Sequence, residues 1–126
     1  MFLPRDFNYT GFDFSNAAKG DCFHVGNIYE YPLEGYDTYV CLEVLEHVDD
    51  IAVLKRIPSG VPVIFSVPSF PDAAHLRTYT MQMMIDRYQD YFSEMEVRRY
   101  NLHGGKWTCN DQETENYILL VKAVKR

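Results

Sequence analysis

The stretch VPVIFSVP, residues 61–68, is the most apolar run in the chain and limits the folds that the chain can adopt. Its β-branched and aromatic residues suit a buried strand, and it is far shorter than the ~20 apolar residues of a membrane span. Pro62 is tolerated near the beginning of a strand, and Pro68 ends it. We therefore predict a buried strand here.

Patterns on either side of this run predict strands that alternate with helices. Residues 8–14 and the stretches CFHVGNI and YDTYVCL predict three earlier strands. DDIAVLKRI predicts a short helix that Asp49 or Asp50 caps and Pro58 stops. Apolar residues at helical spacing predict a long helix over residues 74–92. MEVRRYNL and NYILLVKAV predict two closing strands, which a polar, glycine-containing segment joins.

This alternation predicts one α/β domain over residues 1–126. We expect a mostly parallel sheet with an antiparallel C-terminal strand pair and helices on both faces. The chain is 47% hydrophobic and 24% charged, which is typical of a soluble globular protein.

Charge and cysteine usage bear on partners and location. The net charge of -6 argues against broad binding to nucleic acid, because phosphate contacts need Lys and Arg. Cys22, Cys41 and Cys109 have no metal-ligand or redox spacing, and reduced thiols are their simplest interpretation. The start of the chain has no basic-then-apolar layout of a signal peptide. We therefore expect a cytoplasmic protein.

A group of ionisable residues follows the third predicted strand in VCLEVLEHVDD. Glu43, Glu46 and His47 stand at offsets that would place them on one face if this turn is helical. Two carboxylates and an imidazole can bind a divalent metal, or they can simply line a cleft.

The order of elements resembles that of the class I S-adenosylmethionine-dependent methyltransferases. The most specific piece is YDTYVCLEVLEHVDD followed by VPVIFSVPSF. YTGFDFSNAA looks like the family's second strand with its acidic end, and HLRTYTMQMM is similar to the start of the helix after the fifth strand. The resemblance runs from about Tyr9 to the C-terminus. It implies a Rossmann-like sheet, S-adenosylmethionine as cofactor and a small-molecule substrate.

The resemblance also implies a cofactor site. Asp13, at the end of its strand, would accept hydrogen bonds from both ribose hydroxyls, although it could instead only cap the following turn. Asn27 stands where the family usually has an acidic residue, and its carbonyl oxygen can still accept a hydrogen bond. The residues expected around the cofactor are Asp13, Phe14, Asn27, Ile28, Leu42 and Glu43.

His47 and His75 are the candidates for a catalytic base, and Arg77 for an anion contact. The E-x-x-E-H string looks like that of metal-dependent small-RNA 2′-O-methyltransferases, which add a further histidine, here His75. Many small-molecule methyltransferases carry the same string without a metal. We therefore expect Glu43, Glu46 and His47 to line a cleft, and we predict no metal ligands.

The family's first strand and glycine-rich loop have no counterpart, since too few residues precede residues 8–14. The Asp13 strand could pair directly with the TYVCL strand in a continuous six-stranded sheet, which is the simplest solution. A second copy or a partner chain could instead complete the sheet. The cofactor could also no longer bind, which would leave a non-catalytic binding or oligomerisation module.

Overall fold

The fold is described from a computed structural model, which covers residues 8–13, 23–103, 105–109 and 116–126. Two compact units make up the chain, Met1–Pro32 and Leu33–Arg126, and each is described by itself. The organisation as a single domain stays a prediction. Among the residues in these ranges, no helix is long and apolar enough to cross a membrane.

The first unit contains two short parallel strands. β1 (Gly11–Asp13) pairs with β2 (Phe23–Val25), with Asp13 opposite Val25. The Gly26 amide donates a hydrogen bond to the Asp13 carbonyl at 3.0 Å, just beyond the last paired residue. Both strands lie where the sequence predicts them but are shorter, and Phe14 lies outside the described residues.

The second unit is built on a five-stranded mixed sheet with the order β3-β4-β7-β5-β6. β3 and β4 are parallel, whereas the other three neighbouring pairs are antiparallel. The strands are β3 (Tyr39–Leu42), β4 (Pro62–Pro68), β5 (Phe92–His103), β6 (Lys106–Cys109) and β7 (Tyr117–Lys125). The sheet is therefore mixed rather than mostly parallel, because β7 lies between β4 and β5 and runs against both.

The expectation of one continuous six-stranded sheet is wrong for the described strands. β1 pairs with β2, and β3 has β4 as its one neighbour among them, so the Asp13 strand does not pair with β3. The segment predicted as a polar connector contains β6, which forms a hairpin with β5. On β3, Val40 and Leu42 are 50% and 37% exposed.

The two α-helices begin at side-chain caps. α1 (Asp50–Arg56) is confirmed as predicted, and the Asp49 carboxylate accepts a hydrogen bond from the Ala52 amide. α2 (Met81–Tyr88) begins after Thr80, whose hydroxyl accepts a hydrogen bond from the Met83 amide.

The long helix predicted over residues 74–92 is wrong at both ends. Before α2, the Tyr79 amide donates to the Pro68 carbonyl and the Leu76 amide to the Glu46 carbonyl. These amides bond to other segments and are not available to a helix. After α2, Phe92 already begins β5.

The core lies between the helices and alternate residues of the central strands. Val63, Phe65 and Val67 of β4 are fully buried, and so are Leu54 of α1 and Met84 of α2. Burying one such side chain contributes roughly 1.5–3 kcal/mol. Both described α-helices contribute to this one core, which fixes the ends of β3 and β4 where the candidate site lies.

Candidate functional site

The predicted ionisable residues lie at the carboxyl ends of β3 and β4. Glu43 follows β3 directly, Glu46 and His47 belong to a short 3-10 helix (Leu45–His47), and His75 lies beyond β4. The predicted common helical face is wrong, because only Glu46 and His47 among these residues belong to this short helix. Glu43 precedes the 3-10 helix and has a left-handed backbone with a φ of 53°.

Ser66 of β4 fixes the conformation of Glu43. The Glu43 amide donates a hydrogen bond to Ser66 Oγ, and the Ser66 hydroxyl donates to Glu43 Oε2, both at 3.0 Å. Burial raises the pKa of Glu43, while the Ser66 hydrogen bond and the nearby His75 and His47 oppose this rise. The Glu43 carboxylate is thus half-buried, and Ser66 of the neighbouring strand β4 holds it in place by hydrogen bonds.

Both histidines use their Nδ1 atoms on backbone carbonyls. His47 Nδ1 lies 2.9 Å from the Ala74 oxygen. His75 Nδ1 lies 3.1 Å from the Phe70 oxygen. Because a carbonyl oxygen only accepts hydrogen bonds, each Nδ1 is assigned the hydrogen, and Nε2 of the neutral ring keeps its lone pair. The two rings meet edge to face, with centroids 4.9 Å apart.

The carboxylate of Glu46 is buried without a hydrogen bond to another described residue. Its residue is fully buried, and neither oxygen has a hydrogen-bond partner in the part of the chain that the structure describes. His47 Nε2 lies 3.6 Å from Glu46 Oε1, which is too far for a hydrogen bond but within the range of an ion pair when the ring is protonated. Burial raises the pKa of Glu46 and so does the charge of Glu43, whereas its own backbone amide and the two histidines lower that pKa.

An imidazole lone pair therefore faces a carboxylate, and a proton or a cation between them would satisfy both. One ligand atom from each of Glu46, His47 and His75 lies within 4.8 Å of the others. Tetrahedral ligands bound to a transition-metal ion at about 2.1 Å are about 3.4 Å apart, so the widest separation in the cluster would have to contract by up to about 1.4 Å. The donor set fits a divalent cation as well as a proton.

The other predicted cofactor residues are divided between the units. Asp13 ends β1 and is exposed, and Asn27 follows β2. The Asn27 side-chain oxygen accepts a hydrogen bond from the Tyr29 amide at 2.9 Å, which leaves one lone pair of that oxygen for a ligand. Ile28, next in the chain, is half-buried. Leu42, like Glu43, belongs to the second unit.

Arg77 uses one guanidinium nitrogen inside the protein, and its role as an anion contact stays a prediction. Arg77 Nη1 donates hydrogen bonds to the carbonyl oxygens of Leu45 at 2.6 Å and Val48 at 3.1 Å. These carbonyls flank Glu46 and His47 on the 3-10 helix.

A fully buried aspartate, Asp50, anchors the same region. Arg87 donates two hydrogen bonds to its carboxylate at 2.6 and 2.8 Å, and the Tyr88 hydroxyl donates a third at 2.6 Å. Burial alone would raise the pKa of Asp50, but these hydrogen bonds and the charge of Arg77 outweigh it and hold that pKa below its usual value.

Sequence reasoning missed the roles of Ser66 and Asp50. Ser66 is a polar residue inside the most apolar run, and this contrast was the available signal. Asp50 stands beside the helix cap Asp49, so the sequence pattern predicts it only as an alternative cap.

Comparison with solved structures supports the fold that the sequence motifs indicate. A Thermotoga maritima S-adenosylmethionine-dependent methyltransferase, a possible histamine N-methyltransferase, matches with a TM-score of 0.61 and 15% identity. The N-methyltransferase NodS from Bradyrhizobium japonicum, in complex with S-adenosyl-L-homocysteine, matches with a TM-score of 0.51 and 16% identity. Each match covers 82% of this chain.

The chain spans 63% of the first of these proteins and 53% of the second. No protein-family model and no curated protein matches the chain. The comparisons therefore show an α/β fold similar to that of S-adenosylmethionine-dependent methyltransferases.

Proposed function

We propose that this protein binds S-adenosylmethionine and transfers its methyl group to a small molecule. The observation that carries this proposal is the similarity of its fold to two methyltransferases, one of them with S-adenosyl-L-homocysteine bound. The position of Glu43 adds support, since open α/β sheets bind ligands at the carboxyl ends of their strands.

In this proposal the residues around the cofactor are Asp13, Phe14, Asn27, Ile28, Leu42 and Glu43. The cofactor would supply a methyl group on a sulfonium, which is already a good leaving group, so the protein has mainly to align the acceptor. His47 or His75 would accept the acceptor's proton on Nε2, because each Nδ1 is committed to a backbone carbonyl.

Calorimetry with S-adenosyl-L-homocysteine tests this proposal. Asp13→Ala should weaken binding about 10- to 100-fold, as expected when hydrogen bonds to a charged group are lost. Asp37→Ala, which changes another exposed aspartate, is the matched control and should leave the affinity unchanged. Absence of binding heat at millimolar ligand would contradict the proposal.

The competing class is a non-catalytic binding or oligomerisation module. Among the described strands, β3 is at one end of its sheet and carries the exposed Val40 and Leu42. This favours the module, because a strand at the edge of a sheet can accept another strand. Light scattering separates the two classes. A stable dimer or hetero-complex that does not bind S-adenosyl-L-homocysteine would support the module, and a ligand-binding monomer would exclude it.

The buried, unpartnered carboxylate of Glu46 favours a second candidate function, methyl transfer that depends on a divalent cation. Glu46, His47 and His75 would hold the ion, and Glu43 lies beside them. Imidazole ligands suit Zn²⁺, Fe²⁺ or Ni²⁺ better than Mg²⁺. A cation there would polarise an acceptor hydroxyl and ease the loss of its proton. The net charge of -6 argues against an RNA acceptor.

Titration with Co²⁺, followed by its visible absorption, tests the cation site. Glu46→Gln and His75→Ala should each weaken binding at least tenfold, because each removes a ligand. Glu34→Gln changes an exposed glutamate and should have no effect. A wild-type protein that does not bind Co²⁺ at millimolar concentration would eliminate this candidate.

A further inference from the structure

Arg77 joins the two segments that carry the Glu46–His47–His75 cluster. Its backbone follows His75 by two positions, and its guanidinium reaches across to the 3-10 helix. There, one nitrogen donates to the carbonyls of Leu45 and Val48, which stand on either side of Glu46 and His47. The Arg77 side chain thus connects the segment that contains His75 with the segment that contains Glu46 and His47.

The Asp50 carboxylate lies near this guanidinium without a hydrogen bond to it. Arg77 Nη1 lies 3.6 Å from Asp50 Oδ2. The hydrogen bonds that Asp50 accepts from other side chains come from Arg87 and Tyr88. The hydrogen bonds of Arg77 to the Leu45 and Val48 carbonyls therefore do not depend on the pair between Asp50 and Arg87.

Two more hydrogen bonds between the same segments depend on this alignment. The Leu76 amide donates to the Glu46 carbonyl at 2.7 Å, and His47 Nδ1 donates to the Ala74 carbonyl at 2.9 Å. Both lie within three residues of Arg77 along the second segment. Neither is part of regular secondary structure, so side-chain contacts must hold the segments in register.

We propose that Arg77 is a positioning residue that sets the separation between His75 and the Glu46–His47 pair. Its effect on cation binding rests on the cation site proposed above. Its effect on the register of the two segments is independent of that site, since hydrogen exchange of the Leu76 amide measures the register without any ligand.

The experiment compares Arg77→Met with Arg87→Met. Both variants remove a guanidinium that contacts Asp50, and methionine keeps much of the side-chain length. Only Arg77 also donates to the carbonyls of the 3-10 helix. A general loss of the buried ion pair would affect both variants alike, whereas positioning would affect only the first.

Two readouts are measured on the 126-residue protein. Hydrogen exchange of the Leu76 amide, relative to the Val121 amide of the core, should be at least about tenfold faster in Arg77→Met and unchanged in Arg87→Met. The Co²⁺ dissociation constant should rise about 10- to 100-fold in Arg77→Met, which is typical when a partner of metal ligands is lost, and stay within about twofold in Arg87→Met.

Equal effects of the two variants, or a Leu76 amide that is as protected in Arg77→Met as in the wild type, would overturn the proposal. If the wild type does not bind Co²⁺, the proposed cation site is refuted. The exchange of the Leu76 amide then still tests whether Arg77 positions the two segments. Arg77→Lys provides a folded comparison if Arg77→Met is unstable. Its ammonium keeps the charge without the planar fork, and it should restore part of the protection.

Discussion

Replacing Glu46 with glutamine should stabilise the cation-free protein at high pH. Glutamine has nearly the same shape but no charge, and the structure gives the carboxylate no hydrogen-bond partner among the described residues. A buried charge costs several kcal/mol, which the two nearby histidines offset only in part, because the pKa of Glu46 is still raised. An unsatisfied amide costs roughly 1–3 kcal/mol. The expected gain is therefore about 1–3 kcal/mol.

The gain should depend on pH in a defined direction. Burial raises the pKa of Glu46 in the folded state above its unfolded value. Below the unfolded value, near pH 4.3, both states carry the proton and the charge penalty disappears. The penalty grows as the pH rises from the unfolded-state pKa to the folded-state pKa, and it stays constant above that. Glu46→Gln should thus match the wild type at about pH 4 and exceed it at about pH 8.

Thermal unfolding in the presence of EDTA measures this difference at the two pH values. For a unit of this size, 1 kcal/mol corresponds to a shift of about 4–8 °C in Tm. Glu34→Gln, at an exposed site, is the control and should show no pH-dependent gain. An equal shift at both pH values would refute the reasoning, because Glu46 would then be neutral at both. A loss of stability at high pH would also refute it, because the Glu46 carboxylate would then have a hydrogen-bond or charge partner that glutamine cannot replace.

Three further substitutions test other contacts. Thr80→Ala removes the cap of α2 and should cost about 1 kcal/mol in urea denaturation, with Thr80→Ser as control; an unchanged midpoint would contradict this role. Ser66→Ala removes the hydrogen bonds of the Glu43 amide and of one Glu43 carboxylate oxygen, and it should lower the free energy of unfolding by roughly 1–3 kcal/mol. An unchanged free energy of unfolding would contradict the role of Ser66. Asp50→Asn breaks the pair with Arg87 and should cost about 2–4 kcal/mol at neutral pH. Because the pKa of Asp50 is lowered by folding, this cost should fade below about pH 4, and a cost independent of pH would contradict the ion pair.

Elements with local signals were predicted well from the sequence. The run at β4 contains Val63, Phe65 and Val67 between two prolines, and α1 follows the capping Asp49. In each case, the residues that decide the structure lie within one short window. The motif around Glu46 and His47 was found for the same reason.

Contacts between distant segments account for the errors. Residues 74–79 have helical spacing, but the Leu76 amide bonds to Glu46 and the Tyr79 amide to Pro68, both far earlier in the chain. A local pattern does not contain these partners. The burial of Glu46 and the hydrogen bonds of Arg77 to the Leu45 and Val48 carbonyls were not predicted for the same reason, because both depend on how two remote segments meet.

The left-handed backbone of Glu43 makes one wall of the cluster stiffer than the other. A residue with a side chain has only a small allowed region of φ and ψ in this conformation, whereas glycine would have a much larger one. Together with the two Ser66 hydrogen bonds, it restricts the backbone between β3 and the 3-10 helix. The opposite wall, residues 70–79, includes no regular helix or strand and is tied to the 3-10 helix by hydrogen bonds of Leu76, His47 and Arg77. A ligand that needs more room at Glu46 and His47 should therefore break these three contacts before it disturbs the end of β3.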